Sequence, residues 1–233
     1  MTDQPRAWRL VLDHLERELT EGRLGPGDRL PGERDLAAAL GVGRSSVREA
    51  VRVLDVMGVV RTATGSGPAA GAIIVARPSG GMSTMLRLQT AAQAFGVDDV
   101  VATRVALETA VVTALASPPY DAEALTAPRE LLAAMDDEAL TPQEFLALDA
   151  RFHLSLAEAS GNQVMLAVMA GLRNAIETYV QQGVARIDDW AGTARGLRRE
   201  HAAIVDAVAD GRAEDARTCV ADHIHGYFAQ LRT

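Results

Sequence analysis

"GVGRSSVREAVRVL", residues 41–54, places Arg44, Arg48 and Arg52 four residues apart. On a helix that spacing returns to one face, so the three side chains form a single ridge. Val47, Val51 and Leu54 line another face and call for a core. A basic ridge alone is also what a solvated helix face looks like, so its neighbours decide. Upstream, "RAWRLVLDHLERELT" (6–20) has apolar residues at 8, 11, 12, 15 and 19, the helical period. Gly22 ends that helix and "GPGDRLP" (25–31) turns the chain. "ERDLAAAL" (33–40) is a short helix, and Gly41 gives a tight turn into the arginine helix, expected to run to about Gly58. Two helices across a short glycine turn make a helix-turn-helix. "VVRTAT" (59–64) and "AIIVA" (72–76) read as short strands around a Gly-Ser-Gly-Pro loop. The order predicts a winged helix-turn-helix over residues 1–77. Its second helix would bring Arg44 and Arg48 to base edges or phosphates, with Arg52 further along toward backbone or solvent.

This ridge belongs to a chain of 233 residues with a net charge of −8, and the charge is uneven. Residues 1–77 carry 11 Arg and 10 Asp or Glu, while the remainder carries 12 Arg and 21 acids. A nearly neutral front joined to an acidic back implies two domains with different partners. Lysine is absent, which reads as coding bias and not as chemistry. The single cysteine, Cys219, excludes an internal disulfide framework, and no apolar run is long enough for a membrane span. With no secretory pattern at the N-terminus, a cytoplasmic protein without membrane association is expected.

After a small-residue linker at 78–84, the sequence predicts an antiparallel seven-helix bundle over 85–233. The helical segments fall near 82–95, 98–117, 121–137, 142–160, 162–187, 193–210 and 213–231. Thr141-Pro142-Gln143-Glu144 is a capping box with proline at the first helical position. Gly161 and Gly211 follow helix ends. Several polar residues lie on apolar stripes. Asp149 recurs with Phe145, Phe152 and Leu156, and His153 follows it by one turn. His201 lies with Leu197, Ile204 and Val208, and His223 with Ala216, Val220 and Tyr227. A buried carboxylate without partners is costly. Asp and His at i and i+4 chelate from one face, so a divalent metal satisfies all four groups. The plain alternative is a hydrogen-bonded polar network. His225 lies on a less apolar stripe, and His14 belongs to the front domain. Arg104 shares a stripe with Val100, Leu107 and Val111, one turn before Glu108. It is either a structural partner of Glu108 or a clamp for a carboxylate ligand, which arginine grips bidentately.

"PGDRLPGERDLAAALGVGRSSVREAVRVLDVMGVV" resembles the N-terminal domain of GntR-family bacterial transcription regulators. On that resemblance Arg34, Arg44, Ser45, Arg48 and the wing residue Gly65 match the family's DNA contacts. Gly32 and Gly43 depart from it, because the family usually has Ser or Thr there, and glycine forfeits the capping side-chain bond. "TRVALETAVVTALA", "LDARFHLSLAEASGN" and "EHAAIVDAVADGRAEDARTCVADHI" resemble the FCD effector-binding domain of the FadR-like subgroup. That resemblance implies a metal held by Asp149, His153, His201 and His223, and an organic-acid effector held by Arg104. Asn162 matches the family's Gly-Asn step, which helix capping explains.

These readings converge on a ligand-responsive transcription regulator, a repressor in the first instance. It would be a homodimer on a short palindromic double-stranded operator. The metal would be zinc, with nickel, cobalt or manganese chemically acceptable. Two alternatives stand beside this: a metal-dependent hydrolase with an accessory DNA-binding domain, and a direct metal sensor without an organic effector. The effector's identity is not legible in the sequence.

Overall fold

The computed structural model describes residues 7–63, 71–75, 79–92, 94–118, 122–184 and 187–231. The expected wing contact Gly65 lies outside the described residues. The chain divides into two compact units, Met1–Met82 and Ser83–Thr233. It is mainly helical, with one two-stranded sheet among the described residues.

In the first unit, α1 (Ala7–Thr20), α2 (Glu33–Leu40) and α3 (Arg44–Val56) pack through Val11, Leu15, Leu36, Ala37, Val47 and Ala50. Of the stripe expected inward on α3, Val47 is fully buried, while Val51 and Leu54 are half-buried against the same core. Gly41 ends α2 at φ 65°, a left-handed conformation that favours glycine and redirects the chain into α3. Strands β1 (Val60–Ala63) and β2 (Gly71–Ile74) pair antiparallel, Val60 opposite Ile74. Segment 27–30 covers the other edge of β2, with the Leu30 N–H donating to the Ala72 carbonyl at 2.9 Å. The Thr62 hydroxyl donates to Asp55 at 2.7 Å, tying the sheet to the end of α3.

The second unit holds most of α4 (Ser79–Ala91), then α5 (Val97–Leu115), α6 (Thr126–Met135), α7 (Pro142–Ala159), α8 (Gln163–Val184), α9 (Trp190–Ala209) and α10 (Ala213–Gln230). Several boundaries differ from expectation: α4 starts at Ser79, inside the expected linker, and ends at Ala91, and α9 starts three residues early at Trp190. The third segment starts as a short 3-10 turn, Ala122–Leu125, before α6. Pro128 sits in the first turn of α6, where its missing N–H has no intrahelical acceptor. Local signals account for the other starts. Thr141 and Glu144 form the capping box reciprocally on α7. The Asn162 side-chain oxygen accepts from the N–H groups of Val164 and Met165, both at 3.1 Å, which gives Asn162 a capping role. Where α4 crosses α8 at Gly171, a Cβ would lie 2.8 Å from Leu86, so only glycine permits that approach.

In the bundle, α5 lies against α10, α10 against α9, and α7 against both α6 and α8. Phe145, Phe152, Leu156, Ile204 and Ile224 are among its fully buried side chains. The inward face of α5 runs Val100, Arg104, Glu108 and Val111, with Leu107 only half-buried. No helix among the described residues is long and apolar enough to cross a membrane.

Candidate metal centre

Three helices bring Asp149, His153, His201 and His223 together. Asp149 and His153 stand one turn apart on α7, His201 comes from α9 and His223 from α10. One ligand atom from each lies within 4.8 Å of all the others. Two donors on one zinc ion are at most roughly 4.2 Å apart, so the four atoms would have to draw somewhat closer together to share one. His201 Nε2 is 3.0 Å from Asp149 Oδ1, and His153 Nε2 is 3.8 Å from the same atom. His153 and His223 face each other Nε2 to Nε2 at 3.2 Å. All three rings are buried, and Phe152 packs on His201 at 4.6 Å between centroids.

Hydrogen bonds fix the protons on two of these rings. His153 Nδ1 meets Glu108 Oε2 at 2.5 Å, and His223 Nδ1 meets Glu200 Oε2 at 2.8 Å. Ionised carboxylates only accept, so each Nδ1 carries the proton and donates it. A neutral imidazole with its proton on Nδ1 presents a lone pair on Nε2, and the two Nε2 atoms point at one another. His201 is stranded as well. Neither of its ring nitrogens has a hydrogen-bond partner, and its Nε2 has only the 3.0 Å charge contact with Asp149 Oδ1. A buried polar atom left unmade costs about 1–3 kcal/mol. A divalent cation accepts all these lone pairs at once, and three imidazoles with one carboxylate suit zinc-type ions. Carboxylates on the far nitrogens complete the arrangement usual around metal-bound histidine. The residues fit a metal.

The electrostatics agree. Burial pushes His223 down to about 4, against the pull of Glu200, so the ring is neutral and able to donate a lone pair at neutral pH. Burial likewise lowers His201. For Asp149 burial acts upward, but the nearby histidines outweigh it and keep the carboxylate ionised. Burial also opposes ionisation of Glu108, yet Arg104 and His153 hold it at about 2.

Arg104 stands beside this cluster. Its Nε donates to Glu108 Oε1 at 2.5 Å, and both side chains are buried. Burial works against its charge, and Glu108 and Asp149 more than offset that. A narrow cleft opens here, with Arg104, Glu108, Asp149 and His153 at its polar side and Met169 and Leu172 among its apolar lining. A small anion entering it would meet the guanidinium and the metal donors together.

Comparison with known proteins decides the family. The FCD domain model matches residues 99–226, and the model for bacterial regulatory proteins of the gntR family matches residues 9–69. The chain belongs to the GntR family. It is an FCD-bearing GntR regulator of transcription and not an enzyme, so the hydrolase alternative falls. A relative in Escherichia coli (strain K12), named as a regulatory protein of the L-lactate dehydrogenase operon, is 30% identical over 92% of this chain and 82% of its own. The Glc operon transcriptional activator of the same strain is 26% identical over 92% of this chain and 85% of its own. A solved Streptococcus agalactiae GntR structure shares the fold, with a TM-score of 0.61 and 24% identity over 98% of this chain and 100% of that one.

In this GntR regulator Arg34, Arg44, Ser45 and Arg48 are all exposed. Arg44 and Ser45 open α3, next to the Gly43 cap, which makes no side-chain bond. The Gly32 cap of α2 makes none either. Arg48 is engaged: its Nη2 donates to Glu33 at 3.0 Å across the turn between α2 and α3. Sequence reasoning missed Glu33 and Glu200. Glu200 adjoins His201 and is half exposed, so its neighbours in sequence gave no sign that it reaches His223 on another helix. His225 is exposed and His14 is half-buried.

Proposed function

We propose that this GntR regulator is a homodimeric repressor that grips a short palindromic operator and releases it on binding a small organic acid at a metal centre. The observation that carries the reading is the convergence of Asp149, His153, His201 and His223 beside a cleft whose lining includes Asp149, His153 and the buried Arg104. These four residues would hold one divalent ion, zinc by donor chemistry. When bound, the ion supplies a Lewis-acidic anchor for a carboxylate oxygen. Arg104 would take the other oxygen, and Met169 and Leu172 would lie against the acid's carbon chain. The relative named for an L-lactate dehydrogenase operon makes short 2-hydroxy acids the first candidates. On the DNA side, Arg44 and Arg48 would read base edges, while Arg34, Ser45 and the wing at Gly65 would hold phosphates. An effector shifts operator affinity only through different affinity for two domain arrangements, so the reading requires linkage between acid and DNA.

The test is operator release followed by fluorescence anisotropy, with lactate, glycolate and malate added to zinc-loaded and chelator-stripped protein. The expected result is release by at least one acid from the zinc-loaded protein only. Release unaffected by chelation would remove the metal from the mechanism, and a monomer by light scattering, free and on DNA, would remove the dimer.

A further inference from the structure

Glu108 has one oxygen on each of two different machines. Oε1 accepts from Arg104 Nε at 2.5 Å, and Oε2 accepts from His153 Nδ1 at 2.5 Å. The carboxylate is 2% exposed, so water takes no share of its charge. A carboxylate that gives more of its electron density to one donor gives less to the other. The imidazole transmits the difference across its ring, because a stronger acceptor at Nδ1 makes Nε2 a better metal ligand.

We propose that Glu108 is a positioning residue that couples anion binding at Arg104 to metal affinity through His153. This rests on the metal reading above. With Arg104 free of anion, its guanidinium draws on Glu108 and weakens His153 as a ligand. An anion that occupies Arg104 relaxes that pull, Glu108 turns to His153, and the ion is held more tightly. By linkage the metal must strengthen anion binding by the same factor. The coupling therefore adds to any direct contact between anion and ion.

Arg104 charge could also repel the ion through space, and a double-mutant cycle separates the two routes. Zinc affinity of the full-length protein is measured by competition with a chromophoric chelator, without any organic acid. Four proteins are compared: wild type, Arg104→Gln, Glu108→Gln and the double variant. Glu108→Gln should weaken zinc by roughly 10-fold or more, the usual size for loss of such a partner. Arg104→Gln, which replaces a charged fork by a weaker neutral donor, should tighten zinc in the wild-type background. It should have no effect in the Glu108→Gln background. Equal tightening in both backgrounds means through-space repulsion and overturns the relay. Weakening or no change in the wild-type background overturns it too. If wild type takes up no zinc, the metal reading itself fails, which is a distinct outcome.

Because Glu108→Gln removes a buried charge and risks misfolding, a second readout uses only wild type and Arg104→Gln. In the zinc-loaded proteins the His153 Nδ1 proton resonance should move downfield in Arg104→Gln, as Glu108 accepts more strongly. An unmoved resonance refutes the coupling even if zinc affinity changes.

Discussion

Replacing His201 with alanine tests the metal centre most directly, because this ring is 0% exposed and yet both its nitrogens lack hydrogen bonds. Two terms oppose each other in zinc-free protein. Truncating a fully buried ring packed on Phe152 and His223 leaves a cavity, and large-to-small core changes cost ~2–5 kcal/mol. Removing stranded polar atoms returns ~1–3 kcal/mol. The zinc-free deficit of His201→Ala should therefore be small, about 1–2 kcal/mol. Zinc changes the comparison. At 100 times its Kd a ligand that binds only the folded state adds ~2.7 kcal/mol, which the variant forgoes. For a unit the size of Ser83–Thr233, 1 kcal/mol moves Tm by ~2–4 °C. Zinc should then raise the wild-type bundle by roughly 5–11 °C and the variant by much less. Trp190, on α9 and edge-on to Phe145 at 5.6 Å, reports this unit by fluorescence once Trp8 is changed to phenylalanine. An equal Tm deficit with and without zinc would refute the argument and leave the four residues as a polar core network.

Arg44→Ala should weaken specific operator binding by ~1–3 kcal/mol while changing a scrambled duplex less, by anisotropy titration; equal loss on both would reduce it to a phosphate contact. Glu33→Gln frees Arg48 and deletes an acidic charge beside the ridge, so it should tighten binding to any duplex and steepen its salt dependence; unchanged salt dependence counts against that. In zinc-free protein His223 sits at about 4 against an ordinary 6.5, so unfolding takes up a proton below pH 6.5 and stability falls as pH drops. Between pH 7 and pH 5 the loss is about 2 kcal/mol, read as a lower urea midpoint of Trp190 fluorescence. Glu108, held at about 2, adds a further loss in the same direction below about pH 4.5; a flat midpoint across this range would contradict the buried neutral His223. Thr141→Ala, which removes the capping box of the helix carrying Asp149 and His153, should cost ~1 kcal/mol in the same assay.

What the sequence determined by itself was everything carried by period and punctuation. The four-residue spacing of Arg44, Arg48 and Arg52, with Gly41 before it, specifies a recognition helix after a tight turn, since both signals are local. Asp149 and His153 at i and i+4, and single histidines on the apolar stripes of α9 and α10, mark inward-facing polar groups for the same reason. Helix period tells which side of a helix faces the core, but not which atom of another helix it meets. That depends on how far each helix is rotated and shifted when the core packs. Only the tertiary structure therefore assigned Glu108 and Glu200 to the far nitrogens of His153 and His223. It alone left both His201 nitrogens without a hydrogen-bond partner, and paired Arg48 with Glu33, fifteen residues away. Glu200 shows the distinction most plainly. Beside His201 in the chain it points about 100° away around α9, where a sequence reading leaves it in solvent, and packing of α10 turns that direction into a hydrogen bond with His223.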